Sequence, residues 1–298
     1  MNGDSTAAPR SPIAVIGGAV VTGLLVGMIP ANVWLVLLLV LKLPVTLAAA
    51  AEIVFLVLYV WWARGGGPPK RLQATRADRF RVGSLSAAQW FWGIIAAVSF
   101  AATVHAAIVL LFRVVPYPAA AFHQGYDLSY IPTRQLQYLA CIISALSAGV
   151  CEEVGFRGYM QRPIEKRYGA ALAVMVSSLA FMLLHLTKGW ALIGMVPIVL
   201  GAGVLLGTLA RAAGTLWFGI LGHWIMDIGL FVFWWAQVAG TFAQRPISET
   251  GVDASFLAEC AVFGAALIVV VAAISILLKL RGARTSALAS TLPLAATI

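Results

Sequence analysis

Charge is what this sequence has least of. Only 10% of its 298 residues are Asp, Glu, Lys or Arg, whereas 61% are hydrophobic and the mean hydropathy is +0.94. A soluble globular domain carries about 25% charged residues, so an ordinary water-soluble fold is excluded. Acid is scarcer than base, with 11 acidic against 20 basic residues and a net charge of +9. In a chain this apolar, basic residues collect on the cytoplasmic side, where they set topology and meet anionic lipid. Nucleic acid is therefore not among the expected partners. Cysteine is nearly absent: Cys141, Cys151 and Cys260 form no CxxC pair and all fall in apolar stretches. That argues against a disulfide framework and against a cysteine metal site. There is no internal repeat and no HExxH zinc helix.

What the chain has instead is a succession of apolar runs of about 20 residues, the length that crosses a bilayer. Eight spans are predicted, at Ile13–Leu41, Val45–Trp62, Ala88–Val115, Leu136–Gly158, Ala171–Leu186, Trp190–Leu209, Leu216–Trp235 and Ala254–Leu280. The expected fold is an all-α, polytopic transmembrane bundle forming a single membrane domain over residues 1–298. With both termini in the cytoplasm, the inner segments hold Arg10, Arg64, Lys70, Arg71, Arg76, Arg79, Arg81, Arg157, Arg162, Lys166, Arg167, Arg211, Lys279, Arg281 and Arg284. The outer segments hold Lys42, Arg113, Arg134, Lys188 and Arg245, so the 20 basic residues divide 15 to 5. This obeys the positive-inside rule and points to the cell membrane. Trp61, Trp62, Trp90, Trp92, Trp234 and Trp235 stand near span ends, as in an aromatic belt. Gly203 and Gly207 give the sixth span a small-residue face suited to close helix packing.

Ionisable side chains inside these spans are expensive, at least about 2.5–3.5 kcal/mol at mid-span, so each is a candidate functional residue. Span four carries Glu152 and Glu153, span five His185, and span seven His223 and Asp227. On a helix, neighbouring carboxylates point about 100° apart. Glu153 and Arg157 are four apart in the acid-first order that favours an ion pair, which turns Glu152 elsewhere. Each motif alone has a plain structural reading: charges marking a helix end, a histidine satisfied by a carbonyl, a local His223–Asp227 packing pair. Together they ask for polar partners in lipid, and convergence on one wet cavity meets that demand. His105 and His123 have no such company and read as structural or solvated. Glu52 and Glu259 lack obvious local partners.

The pattern Glu152-Glu153-x-x-x-Arg157, Phe181-x-x-x-His185 and His223-x-x-x-Asp227 resembles the three-motif signature of the CAAX protease and bacteriocin-processing family. That family includes the type II CAAX prenyl endopeptidases (Ras-converting enzymes). The resemblance covers the core from about Cys141 to Gly229, with residues 136–229 as the catalytic core. It implies an intramembrane endopeptidase with eight spans and a cavity open to the cytosol. In that scheme Glu152 and His185 activate a water, His223 and Asp227 stabilise the oxyanion, and Glu153, Arg157 and Phe181 support them. Asp in the last motif position bears on this, because an ionised carboxylate cannot donate to an oxyanion.

Family resemblance favours a metal-free glutamate mechanism with no cofactor. The rival mechanism is a zinc peptidase, since two His and a Glu can form a site with an open fourth position. The rival from another class is a transporter or an immunity-type scaffold, because proton-coupled carriers also bury Glu, His and Asp. As a peptidase, the protein acts on a peptide or membrane-protein substrate. The resemblance does not say whether that substrate is prenylated. Counted from Arg162 and Ala171, Glu152 and His185 lie at different depths. An interfacial segment over residues 162–173, with the buried part of span five starting later, would reconcile them.

Overall fold

The computed structural model describes residues 11–117, 128, 130–186, 190–235 and 245–291. Arg10, His123 and Lys188 lie outside these residues, as do the side chains of Trp234, Trp235 and Arg284. Helix α1 (Pro12–Leu35) winds on as a π-helix over Val36–Val40, and is followed by α2 (Val45–Ala63). The short α3 (Gln73–Phe80) precedes α4 (Ala87–Val114). Helix α5 (Arg134–Glu152) continues through a π-helical stretch, Glu153–Met160, into α6 (Gln161–Tyr168). Then come α7 (Ala170–Leu186), α8 (Val196–Ala213), α9 (Trp217–Gly229, extended by π-helical Leu230–Trp235), α10 (Ile247–Thr250) and α11 (Ala254–Thr291). The described residues contain no strand.

The starts follow local chemistry. Ser11 caps α1 by accepting from the Ala14 amide, with Pro12 at the first helical position. Ser86 and Gln89 form a reciprocal capping box at α4. Six helical stretches are long and apolar enough to cross a membrane, and Ala170–Leu186 and Trp217–Val232 are shorter apolar helices. Together they correspond to the eight expected spans, seven of them to within about four residues, while the fourth runs on from Gly158 to Tyr168. Large apolar side chains such as Ile29, Val57 and Ile268 point outward, at 63%, 63% and 71% exposure, which is the surface a bilayer covers. The chain is an all-helical integral membrane bundle. The small face of α8 packs as expected: a Cβ at Gly203 would lie 3.0 Å from the Ser178 Cβ.

The bundle has two chemically different ends. At one end α3, α6, the α8–α9 turn and the far part of α11 meet. Arg81 pairs with Glu165 at 2.5 Å, and Asp78 takes Arg162 at 3.0 Å and Lys166 at 2.7 Å. Arg281 donates to the Arg211 carbonyl. Buried Arg76 holds the Gly65–Pro69 loop: its guanidinium donates to the carbonyls of Trp62 (2.9 Å), Pro69 (3.1 Å), Gly66 (2.6 Å) and Gly67 (2.8 Å). The other end is tied by Arg113, 2.7 Å from Asp253, and by Tyr130, which donates to the Leu38 carbonyl.

Residues 162–173 are divided between two helices. Arg162 lies within α6, and α7 begins at Ala170, directly after the Gly169 turn. The depth difference disappears once residues are counted from that turn. Glu152 is 17 positions before Gly169 and His185 is 16 after it, so at about 1.5 Å per residue the two reach nearly equal depth.

Arg76→Ala should lower the stability of the detergent-solubilised protein by about 2–4 kcal/mol, since four carbonyls lose a buried, charged donor. Exposed Arg71→Ala should change it by no more than about 0.5 kcal/mol. Burial alone would raise the Asp78 carboxyl, but Lys166 and Arg162 hold it below the usual carboxylate range. Its contribution to stability is therefore present above that range and is lost as pH falls through the lowered folded value. Thermal melts on an acid series should show Asp78→Asn flattening that limb.

Candidate active site

The polar residues of the three motifs come together between α5, α7 and α9. Their hub is Glu153, the first residue of the π-helical stretch. Its Oε1 lies 2.9 Å from Arg157 Nη1 and 3.0 Å from His223 Nδ1. Glu153 and Arg157 are fully buried, and the His223 side chain is 1% exposed. The oxygen facing the ring is a carboxylate's, so His223 Nδ1 carries the hydrogen and donates to it. The expected Glu153–Arg157 pair is present. Its second partner, His223, was not foreseen: the pairing with Asp227 alone missed that the ring reaches 70 residues back along the chain.

On the other side of His223, Nε2 lies 3.5 Å from Asp227 Oδ2 and 3.9 Å from Glu152 Oε2. Phe181 fills the centre. Its ring centroid is 4.5 Å from that of His185 and 5.8 Å from that of His223, and the Arg157 guanidinium lies 4.6 Å over it. His185 Nδ1 sits 2.9 Å from the Phe181 carbonyl. A carbonyl can only accept, so Nδ1 carries the hydrogen.

Glu152, His185, Asp227 and Phe181 line a cavity of about 360 Å³, whose remaining wall is mostly apolar and includes Trp34, Ile108 and Met195. His223 is not part of the lining. The resemblance gives it an oxyanion role, yet its ring stands behind the wall with both nitrogens facing carboxylates. The lining residues lie from mid-bundle toward the end that holds Arg113 and Tyr130. The basic-residue count makes the opposite end cytoplasmic, and the resemblance has the cavity open to the cytosol. These two expectations point to opposite ends of the bundle.

Other buried polar groups are structural. His105 Nε2 donates to the Met226 carbonyl at 3.0 Å, tying α4 to the helix that carries Asp227. Glu52, fully buried on α2, accepts from Ser147 on α5 at 2.7 Å. Both partners are on other helices, where no local spacing reveals them. The three cysteines are free. Among the described residues, no three His, Cys, Asp or Glu side chains are grouped as metal ligands. Phe181 packs against both imidazoles, and Glu153 holds one of them.

Residues 133–229 match the family model described as Type II CAAX prenyl endopeptidase Rce1-like. This segment is similar to an Rce1-like domain. It spans about a third of the chain and contains every motif residue from Glu152 to Asp227. No curated protein and no solved structure matches the chain. The matched segment consists of α5 to α9, and the match supports protease activity for the chain in broad terms. The helices outside it supply part of the cavity wall, through Trp34 on α1 and Ile108 on α4.

Two glycines in this segment make the cluster geometrically possible. A Cβ at Gly155 would lie 2.6 Å from the Gly23 carbonyl oxygen, so α1 crosses the π-helical stretch at backbone contact. A Cβ at Gly219, one turn before His223, would lie 2.8 Å from Glu153 Oε2. Gly219→Ala should therefore push the carboxylate off His223 and destabilise the protein by about 1–3 kcal/mol. Gly264→Ala, with nothing within 4 Å of its Cβ, should not destabilise it. Unfolding of the two variants in detergent makes the comparison.

Proposed function

We propose that the protein is an intramembrane endopeptidase in which Glu152 and His185 hold and activate one water. The observation that carries this reading is that both side chains, with Asp227, line one cavity and all three belong to the segment that matches the Rce1-like family model. Peptide hydrolysis needs a proton acceptor beside the nucleophile and a stabiliser for the developing oxyanion. Glu152 takes a proton from the water as its oxygen bonds to the scissile carbonyl carbon. The C–N bond then breaks, and the departing nitrogen takes up that proton. The neutral His185 ring, fixed by the Phe181 carbonyl with Nε2 as its lone-pair side, accepts a hydrogen bond from the water and aligns it.

His223 acts here as a positioning residue. Glu153 and Arg157 hold its ring, and its Nε2 side is the surface against which Glu152 and Asp227 rest. Asp227 orients this group. As an oxyanion donor it serves only when protonated, because an ionised carboxylate has no hydrogen to give. The metal-free route accords with the packing of Phe181 against both imidazoles and with the use of His223 Nδ1 on Glu153. The substrate class is polypeptide, taken up by a cavity that is mostly apolar apart from its reactive floor.

Cleavage of a quenched-fluorescence peptide library by the purified protein tests this directly. Glu152→Gln and His185→Ala should each lower turnover by at least about 10²-fold, the scale of a lost acid–base group, with unchanged melting behaviour. Leu183→Ala, at a position 57% exposed toward lipid, should retain turnover. Full activity in either of the first two variants would reject the assignment.

A further inference from the structure

Taking the peptidase reading as its base, we infer that the cavity is entered from the non-cytoplasmic side of the membrane, so that its substrate is an apolar polypeptide segment presented there. The argument starts with the charges. One end of the bundle gathers Arg64, Lys70, Arg71, Arg76, Arg79, Arg81, Arg162, Lys166, Arg167, Arg211, Lys279 and Arg281. Among the described residues, the other end has only Lys42, Arg113, Arg134 and Arg245. Short basic segments next to membrane spans are retained in the cytoplasm, and this asymmetry orients the whole chain. The end built on α3 and α6 is therefore cytoplasmic.

The cavity runs the other way. Its floor is at mid-bundle, with Glu152, Phe181 and Asp227, and its wall continues through Ser144, Ile108 and Leu186 toward the end of Arg113. Between this floor and the basic end the core is solid. Phe156, Arg157, Met160, Gln161 and Ile164 are all 0% exposed, and Gln161 donates to the Gly207 carbonyl at 2.9 Å. A cytosolic peptide would have to displace the Glu153–Arg157 pair and this packed layer to reach Glu152. Among the described residues, a segment approaching from the opposite face meets a wall that is apolar apart from Asn32 and Ser144.

The test uses the full chain in whole cells, with Cys141, Cys151 and Cys260 replaced by Ala. Single cysteines are then introduced as Leu72→Cys at the basic end and Val252→Cys at the other, positions 43% and 65% exposed. A third, Leu186→Cys, reports on the cavity wall. A membrane-impermeant maleimide applied to intact cells should label Val252→Cys and Leu186→Cys, and should label Leu72→Cys only after permeabilisation. Labelling of Leu72→Cys alone in intact cells would overturn the inference, as would Leu186→Cys reacting only after permeabilisation. This readout does not depend on catalysis. If Glu152→Gln turns over the peptide library like the wild type while the labelling pattern holds, the peptidase reading fails and the sidedness stands. If the labelling reverses while Glu152→Gln is inactive, the sidedness fails and the peptidase reading stands.

Discussion

A carboxylate buried in a membrane bundle has to be matched, and Glu153 is matched from two directions at once. Arg157 neutralises it from its own π-helical turn, and His223 donates to it from α9. Desolvating such a group without partners costs several kcal/mol, so the three residues lock the rotation and depth of α9 against α5. The rest of the site follows from that lock. Gly219 must lack a side chain to admit the carboxylate, Phe181 stacks under the guanidinium, and Glu152 is turned out of the hub toward the cavity. One carboxylate of the pair serves structure, which leaves its neighbour free to meet water.

The π-helical winding over Glu153–Met160 belongs to the same solution. Such stretches are rare, occur mostly as interruptions of α-helices, and are frequent at functional sites. Here the stretch lies where α1 crosses at backbone contact through Gly23, Gly27 and Gly155. The motif helix is thus held from three sides: by α1 at Gly155, by α9 at His223 and by α3, whose Asp78 and Arg81 engage α6. Rigid support of this kind is what an acid–base site needs, because small misplacements of reacting groups cost large factors in rate.

The two helices that are short for a membrane span, α7 and α9, are also the ones that carry His185, His223 and Asp227. A short helix lets water reach polar groups at depth without breaking the backbone hydrogen bonds that lipid demands. The cavity lies beside their far ends, over a packed floor.

Hydropathy alone located the eight apolar helical stretches, because a bilayer selects runs of about 20 apolar residues and that length is a local property of the chain. The Glu153–Arg157 pair was equally legible, since i,i+4 neighbours share a helix face whatever surrounds them. The gathering of Glu152, His185 and Asp227 around one cavity could be expected from the cost of burying each alone. What tertiary structure decided was everything that depends on how one helix is rotated and raised against another. That includes the His223–Glu153 bond, the packing of Phe181 against two imidazoles, the Glu52–Ser147 and His105–Met226 contacts, and the end of the bundle that holds the cavity. Periodicity records which residues share a face of one helix; the partner of that face is chosen by packing among all of them, and no spacing within a single segment encodes it.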